Sequence, residues 1–594
     1  MQLTRRSFVK GAAVLAATPK LSAFAGMATR EPLRQFEYAD VQLTGGPFAE
    51  QYDALQAHYL ALSNDRLLKV YRQRAGLPAA GKDMGGWYDL DGFVPGHTLG
   101  QYISGLARFG ASGGDAACHE KVGELVEGFA ATLGPDNQSI LRPKTNLWIC
   151  YTLDKHFAGL IDAATLSHVA GAKELLSRVL AGSQALLPAV GRDRIGKKDP
   201  PYDETFVMPE NLFIAGRLTG NTAFEQLARR YLLDREFFDP LARGGDPLPG
   251  QHAYSHAIAL SSAAQAWLTL GDAKYKQAMQ QAFTLLTTQQ QFASGGWGPN
   301  ETFIAPHKGQ LYDSLSSTVD HFETPCGAYA ATKLARSLIR FTDAPKDTQH
   351  ADNLERVLFN TILAVKPPDS DGDYPYYSTY SPAAQKTYYS KKWPCCSGTL
   401  AQTVADYPLN LYFHAVDGLY VNLYTSSRLH FTHAGTAVEL RQETRYPAED
   451  STTLIINPAS AAAFTIYLRI PFWLARPATI RLNGRELRTL AMRGTYAAIH
   501  RTWRVGDRIE VVLPQSFRTE AIDDLHTDVV ALMRGPVQYV ALNPAEQQDR
   551  LALPAGLKQI AAQSFVENYG GRQIVFVPLY HVQNESYTTY FSKA

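Results

Sequence analysis

The spacing of apolar residues along this chain changes once, near residue 415. Before that point, apolar residues recur every three to four positions, which is the period of amphipathic α-helices. This pattern predicts twelve helices, at residues 50–63, 96–110, 116–132, 148–169, 171–188, 207–219, 222–234, 253–271, 273–289, 323–342, 348–364 and 398–414.

The order of the predicted helices indicates how they pack. Similar turns, such as 218–222 and 270–274, join the helices in pairs, as expected for repeated helical hairpins. An open helical solenoid would use the same pairs. Long inserts favour instead a closed (α/α)6 barrel with functional loops at one mouth. These inserts lie at residues 190–206, 236–252, 292–322 and 366–397.

Beyond residue 415, apolar and polar residues alternate, which is typical of β-strands. Short runs of this kind occur at residues 419–424, 463–470, 479–482, 508–513 and 528–533. They predict a jelly-roll-like β-sandwich over residues 415–540, and residues 541–594 either complete it or form a small second β domain. The segment 32–47 predicts a strand that packs on the sandwich. The expected fold is therefore multidomain α + β, with an N-terminal (α/α)6 barrel over residues 48–414 and C-terminal β-sandwich domains.

The first 25 residues have the pattern of a twin-arginine export signal. Arg5 and Arg6 lie in a basic segment, an apolar stretch follows, and Ala23-Phe24-Ala25 forms a small-x-small cleavage site. We expect cleavage there and a periplasmic or secreted protein. The signal carries four basic residues and no acid, and the whole chain has a net charge of only +1. Neither nucleic acid nor an anionic membrane is thus an expected partner, and no later run of 18 apolar residues predicts a membrane span.

Three of the five cysteines lie at the two ends of the stretch 323–396. Cys326 follows Glu323 by three residues, and Cys395 and Cys396 are adjacent. Thiolates with one carboxylate are a usual ligand set for Zn2+, and adjacent cysteines can both reach one tetrahedral ion although they rarely form a relaxed disulfide. The alternative is that these cysteines are buried and act as small hydrophobic residues.

The predicted inserts also contain groups that could act on a substrate. Glu301 lies in a glycine-rich loop with aromatic neighbours, where a carboxyl group can serve as a general acid; the alternative is a solvated loop glutamate. Histidines facing the predicted mouth are further candidates, although each alone is more often structural. They are His97, His156, His252 and His256. Aromatic residues that could stack on sugar rings, or simply fill the core, are Trp87, Trp148, Trp297, Tyr376 and Tyr377.

Several motifs together resemble the β-L-arabinofuranosidases of glycoside hydrolase family 127, to which family 146 is related. They are Glu323-Thr-Pro-Cys326, Trp393-Pro-Cys-Cys-Ser-Gly398, Gly96-His-Thr-Leu-Gly100, Tyr151-Thr-Leu-Asp-Lys-His-Phe-Ala-Gly159 and Trp503-Arg-Val-Gly-Asp507. The resemblance covers nearly the whole chain after the signal. It implies an (α/α)6 barrel with β-sandwich domains, and a retaining exo-glycosidase whose nucleophile is a zinc-bound cysteine thiolate.

The resemblance also implies roles for single residues. Cys395 would be the nucleophile and Glu301 the acid/base, and zinc would be held by Glu323, Cys326, Cys395 and Cys396. Residues expected to contact the sugar are His97, Asp154, His156, His252, Trp297 and Glu323, with Asp154 standing where many relatives carry histidine.

The implied partner is a carbohydrate, an L-arabinofuranoside or a related unusual sugar of plant cell walls. The exact glycoside and the oligomeric state stay open. Two alternatives remain. A non-catalytic carbohydrate-binding protein with structural zinc would not need Glu301. A lyase or unsaturated-uronide hydrolase on the same barrel would leave the Cys395-Cys396 pair unexplained.

Overall fold

The structure, a computed structural model, describes residues 30–138, 148–191, 203–343, 347–369, 372–487, 491–542, 550–569 and 571–593. The predicted export signal at residues 1–25 lies outside these ranges. The helices are α1 (Pro47–Ala61), α2 (Asn64–Ala75), α3 (Leu99–Gly113), α4 (Ala116–Ala131), α5 (Ile149–Thr165), α6 (Ala172–Ser183), α7 (Pro209–Thr219), α8 (Thr222–Tyr231), α9 (Asp239–Ala242), α10 (Ala253–Leu270), α11 (Ala273–Leu285), α12 (Gln310–Ser317), α13 (Thr324–Arg340), α14 (Gln349–Val357) and α15 (Cys395–Ala405).

Most strands follow the helices. They are β1 (Arg34–Gln35), β2 (Val41–Leu43), β3 (Phe322–Glu323), β4 (Tyr377–Ser378), β5 (Tyr412–Ala415), β6 (Gly418–Val421), β7 (Ser427–His433), β8 (Thr436–Thr444), β9 (Ser451–Pro458), β10 (Ala462–Ile470), β11 (Thr479–Leu482), β12 (Arg485–Glu486), β13 (Thr495–Trp503), β14 (Asp507–Val512), β15 (Phe517–Ala521), β16 (Val529–Arg534), β17 (Val537–Leu542), β18 (Arg550–Leu551), β19 (Lys558–Ala561), β20 (Ser564–Tyr569), β21 (Arg572–Pro578), β22 (Tyr587–Thr588) and β23 (Tyr590–Lys593).

Six helices contact one another in a closed series. In order, α3 packs on α5, α5 on α7, α7 on α10, α10 on α13, α13 on α15, and α15 on α3. Each also packs on a helix outside the series: α4 on α3, α6 on α5, α8 on α7, α11 on α10, α14 on α13, and α1 on α15. All residues of α15 are buried, as expected for a helix covered on every side, whereas α8 and α14 bury one face.

Three larger sheets lie mainly after the helices. A five-stranded sheet has the order β1-β5-β6-β10-β13, and a seven-stranded sheet has the order β12-β11-β14-β9-β8-β7-β2. Phe431 of β7 contacts Phe464 of β10, with ring centroids 5.8 Å apart, so apolar faces of these two sheets meet. A third sheet joins strands from β15 to β23. The short strands β1 and β2 pair with β5 and β7, which fastens the segment before α1 to the two sheets.

Each of the twelve predicted helical segments overlaps a helix, but some details differ. The helix predicted at 398–414 ends at Ala405, and the strand β5 has begun by Tyr412, because a 3-10 turn containing Pro408 intervenes. Helices α2, α9 and α12 were not predicted. Within the described residues, no helix is both long and apolar enough to cross a membrane.

Candidate active site

Glu323, Cys326, Cys395 and Cys396 form a compact buried cluster. Their ligating atoms all lie within 4.8 Å of one another. The Cys326 Sγ lies 3.5 Å from the Cys395 Sγ and 3.7 Å from the Cys396 Sγ. The Glu323 Oε1 lies 3.1 Å from the Cys395 Sγ and 3.4 Å from the Cys396 Sγ. Cys326 is too far from Cys395 and from Cys396 to form a disulfide bond with either. The three sulfurs and one carboxylate oxygen could hold a metal ion.

Two helix N-termini bring the three sulfurs together. Glu323 is the N-cap of α13, with Pro325 at the second helical position and Cys326 in the first turn. Cys395 and Cys396 are the first two residues of α15, directly after Pro394. A helix N-terminus carries a partial positive charge, so both helices favour the thiolate forms of these cysteines. Adjacent packing of α13 and α15 then closes the cluster.

Electrostatics distinguish Cys395 from the other two sulfurs. Burial raises the pKa of Cys326 and of Cys396. Burial also opposes ionisation of Cys395, but hydrogen bonds from Cys326 and Cys396, together with the charge of Lys155, lower the pKa of Cys395 well below its usual range. Within the cluster, Cys395 is therefore the sulfur best suited to react as a thiolate.

Glu301 lies in a tight turn held in an unusual backbone conformation. Asn300 and Glu301 both have positive φ, 54° and 58°. The amide of Asn300 donates to the Asp320 carbonyl at 2.8 Å, and Thr318 Oγ1 donates to Asn300 Oδ1 at 2.8 Å, which holds the turn. Non-glycine residues rarely adopt this conformation, and such outliers concentrate at functional sites.

Three side chains bind the Glu301 carboxyl group. The Tyr376 hydroxyl donates to Oε1 at 3.2 Å, and the Tyr377 hydroxyl donates to the same oxygen. His252 Nε2 lies 3.5 Å from Oε2. Strand β4 pairs Tyr377 with Glu323 of β3, so this short two-stranded sheet places the partners of Glu301 next to the cysteine cluster.

Cys395 and Glu301 line one pocket with a volume of about 350 Å3. Its wall is rich in aromatic side chains and contains several carboxylates. Besides Cys395 and Glu301, the lining includes Trp87, Phe93, Trp148, Tyr151, Glu204, His252, Tyr254, Glu323, Cys326, Tyr376, Tyr377 and Tyr389. The pocket thus combines polar groups with ring faces, as sites for single sugar rings do.

The other predicted sugar-contacting residues lie outside this lining. His97 is fully buried against the rings of Trp87 and Tyr151, and burial lowers its pKa to about 3, so its imidazole is neutral. Trp297 is also buried and packs on Phe322 at 5.3 Å.

His156 and Asp154 lie on α5. His156 Nε2 contacts the Tyr71 hydroxyl at 2.6 Å, away from the pocket. Asp154 accepts a hydrogen bond from Asn211 at 2.8 Å and lines a second cavity of about 230 Å3. Cys326, Cys395, Tyr151 and Glu204 line both cavities and so form the wall between them.

Several residues of the site escaped the sequence analysis, and three of them are polar groups beside the cysteines or Glu301. Glu204 and Tyr254 line the pocket, and Tyr254 accepts a hydrogen bond from the Glu323 amide at 2.6 Å. Lys155 lies behind the cysteines in the second cavity. Lys155 is inside a motif of the resemblance and Glu204 lies near the end of a predicted insert, but neither pattern shows that the two residues meet beside the cysteines.

Comparisons with known proteins agree on one family. The sequence model described as the beta-L-arabinofuranosidase GH127 catalytic domain matches residues 40–409, and the GH127 middle domain matches residues 418–515. No curated protein matches the chain.

Solved structures share the fold over nearly the whole chain. A GH127 beta-L-arabinofuranosidase from Geobacillus stearothermophilus T6 superposes with a TM-score of 0.72 at 18% identity, covering 93% of this chain and all of that one. A second GH127 beta-arabinofuranosidase gives a TM-score of 0.70 at 18% identity, covering 95% of this chain and 98% of its own. At these identities the likeness concerns the fold alone. The match to the catalytic-domain model spans more than half of the sequence, so the chain belongs to the beta-L-arabinofuranosidase family GH127 and is a glycoside hydrolase.

Proposed function

We propose that this enzyme is a retaining exo-glycoside hydrolase for an L-arabinofuranoside or a related unusual plant cell-wall sugar. Cys395 is its nucleophile and Glu301 its acid/base. The observation that carries the proposal is that a sulfur with a lowered pKa and a hydrogen-bonded carboxyl group line the same sugar-sized pocket. A retaining mechanism requires one nucleophile and one proton-transferring group at the reacting carbon.

The donor set fits zinc. Tetrahedral zinc with Zn–S bonds of about 2.3 Å requires sulfurs about 3.8 Å apart, with a carboxylate oxygen slightly closer. Cys326 lies 3.5 and 3.7 Å from the other two sulfurs, and the Glu323 oxygen lies 3.1 and 3.4 Å from two of them. We therefore assign Glu323, Cys326, Cys395 and Cys396 as zinc ligands. A bound zinc ion would keep its thiolate ligands ionised near neutral pH.

The reaction takes two steps. Cys395 Sγ attacks the anomeric carbon while Glu301 donates its proton to the departing glycosidic oxygen, giving a glycosyl–cysteine and a released alcohol. Glu301 then removes a proton from water, the water oxygen attacks the same carbon, and the C–S bond breaks to restore the thiolate. Two inversions give net retention. Tyr376, Tyr377 and His252 orient the carboxyl group of Glu301 for both transfers.

We extend the proposal to the architecture. The closed series of α3, α5, α7, α10, α13 and α15, each backed by an outer helix, supports an (α/α)6 barrel. The strands after residue 411 then form the predicted β-sandwich and C-terminal β segment, and the boundary between the two family models, at residues 409 and 418, supports a division near residue 415.

Two variants test the assigned roles. Glu301→Gln should lose about 10²–10⁴-fold in kcat/KM on an alkyl arabinofuranoside, and much less on a nitrophenyl arabinofuranoside, whose leaving group needs little protonation. Cys395→Ala should be inactive on both substrates. The control is Cys118→Ala, which removes a buried free cysteine outside the lining of the pocket and should keep activity.

Three results would contradict the assignment. They are inversion at the anomeric carbon by product NMR, near-normal activity of Cys395→Ala, and no zinc by elemental analysis of protein purified under reducing conditions. Inversion would be decisive, because it would require a water molecule where the sulfur is placed.

We also propose that the enzyme is exported in folded form. The support is the sequence around Arg5 and Arg6 together with the thiolate site, which could be loaded with metal before the chain reaches an oxidising compartment. Replacing both arginines by lysine should leave the precursor in the cytoplasm, as measured by cell fractionation. Unchanged export of that variant would disprove the proposal.

A further inference from the structure

Lys155 is a buried cation without a conventional partner. Its side chain is on α5 and the residue is only 7% exposed, yet Nζ makes no hydrogen bond or ion pair with any described residue. Nζ lies over the face of the Tyr151 ring, 3.3 Å from its centroid. A buried ammonium normally requires a compensating anion, because leaving water costs several kcal/mol.

The other cations in the same cavity do have such anions. Arg108 pairs with Asp162 and Asp406 at 2.9 and 3.0 Å, and Arg336 pairs with Asp406 at 2.8 Å. Lys333 is paired with Glu210. Lys155 is thus the exception among these buried cations, and its compensating charge must come from another source.

The cysteine cluster can supply this charge, because Cys326 and Cys395 line the same cavity as Lys155. Burial lowers the pKa of Lys155, and the charge of Cys395, followed by that of Cys326, opposes this shift more than Glu204 or Asp154 does. Lys155, Cys326 and Cys395 line the same cavity, on the side away from the sugar pocket, whose lining does not include Lys155. A divalent ion held by three thiolates and one carboxylate would retain two uncompensated negative charges in this buried position.

We propose that Lys155 is the counter-cation of the metal–thiolate centre, and that it stabilises the metal-bound state from behind Cys395. This inference rests on the proposed function. Lys155 is a positioning residue, since it does not line the pocket that holds the sugar. Tyr151 lies between the two sites and holds the ammonium in place through its ring face.

The test compares zinc affinity with the stability of metal-free protein. Lys155→Met keeps the unbranched side chain, one atom shorter, but removes the charge. It should weaken zinc binding about 10–100-fold, as loss of an outer-shell partner does, measured by competition with a chromophoric chelator. Lys155→Met should lower the melting temperature of the zinc-bound protein more than that of the metal-free protein, because the full negative charge of the centre is present only when all its ligands are held ionised by the metal. Lys155→Arg should restore most of the zinc affinity.

Lys121→Met is the matched control. Lys121 is 9% exposed, but its ammonium donates to the Leu62 carbonyl and to Asn64. Its loss should lower the melting temperature of the zinc-bound and metal-free proteins alike and leave zinc affinity unchanged.

The outcomes separate this inference from the proposed function. If wild type binds zinc and Lys155→Met binds it equally well, the role of Lys155 is refuted while the metal site stands. The role is also refuted if Lys155→Met behaves like Lys121→Met, since the lysine would then be structural. If wild type binds no zinc, both the centre and this role are refuted.

Discussion

Asp154 and Lys155 are neighbours in sequence, but their environments differ. The ammonium of Lys155 faces the cysteine cluster, whereas Asp154 is held by Asn211 in the same cavity. Burial raises the pKa of Asp154 to about 7, partly offset by the hydrogen bond from Asn211. The resemblance placed Asp154 among the sugar-contacting residues, and the structure places it behind the wall of the pocket.

This environment predicts a pH-dependent effect of Asp154→Asn. The carboxyl group of Asp154 binds its proton more tightly in the folded protein than in the unfolded chain, where an aspartate has a pKa of about 3.9. Ionisation of Asp154 therefore destabilises the fold as the pH rises from about 4 to 7. The melting temperature of Asp154→Asn minus that of wild type should therefore be larger at pH 8 than at pH 5. KM should change little. A difference that is constant from pH 5 to 8 would contradict the assigned environment.

At the scale of elements, two motif glycines allow α3 and α5 to touch. A Cβ at Gly100 would lie 1.8 Å from the Lys155 carbonyl oxygen, and a Cβ at Gly159 would lie 2.5 Å from the Gly100 carbonyl oxygen. These atoms belong to the backbone and cannot rotate away. The motifs Gly96–Gly100 and Tyr151–Gly159 thus each contain a glycine that packing requires as well as candidate site residues.

We predict opposite effects for alanine at two helical glycines. Gly100→Ala forces α3 away from the backbone that carries Lys155, and should destabilise the protein by about 1–3 kcal/mol or more. Gly123→Ala, in α4, meets no atom within 4 Å and should stabilise it by about 0.5–1 kcal/mol. Urea unfolding of wild type and of the two variants measures both changes in the free energy of unfolding. A neutral Gly100→Ala would mean that the two helices can separate without cost.

At the scale of the whole molecule, a buried ion cluster fastens the five-stranded sheet to the helices. Arg469 of β10 is fully buried and pairs with Asp352 and Glu355 of α14, at 2.5 Å each. Trp473 and Tyr446 also donate to Glu355, at 3.1 and 2.8 Å. The guanidinium thus connects a strand that follows residue 415 to a helix that precedes it.

Removing the Arg469 guanidinium should destabilise the folded protein. Arg469→Met leaves the buried Glu355 and the partly buried Asp352 without their cation, and we expect a loss of about 3–5 kcal/mol in the free energy of unfolding, measured by urea denaturation. The control is Arg445→Met. Arg445 forms an exposed pair with Glu449, and its loss should change stability by about 0–1 kcal/mol. Equal effects of the two variants would refute the joining role of Arg469.

Local sequence patterns were enough to place twelve helical segments and to identify the residues with metal-binding chemistry. Helical periodicity reflects contacts three and four residues apart, so each predicted helix overlaps an observed one. The cysteines and Glu323 were identified by ligand type, and the structure brings all four together. The short helix α2 was missed because it is mostly polar and is specified by its ends, Ser63 as N-cap and Gly76 as C-cap, more than by an apolar face.

Which side chains reach the pocket depends on long-range packing. Trp297, His156 and Asp154 have the chemistry of sugar ligands, but long-range packing turns them toward Phe322, Tyr71 and Asn211. Glu204 and Lys155 were missed for the converse reason, because nothing in their local sequence shows that α5 and the segment before α7 converge behind the cysteines. Burial and pairing of a side chain depend on contacts between residues far apart in sequence, which local patterns do not contain.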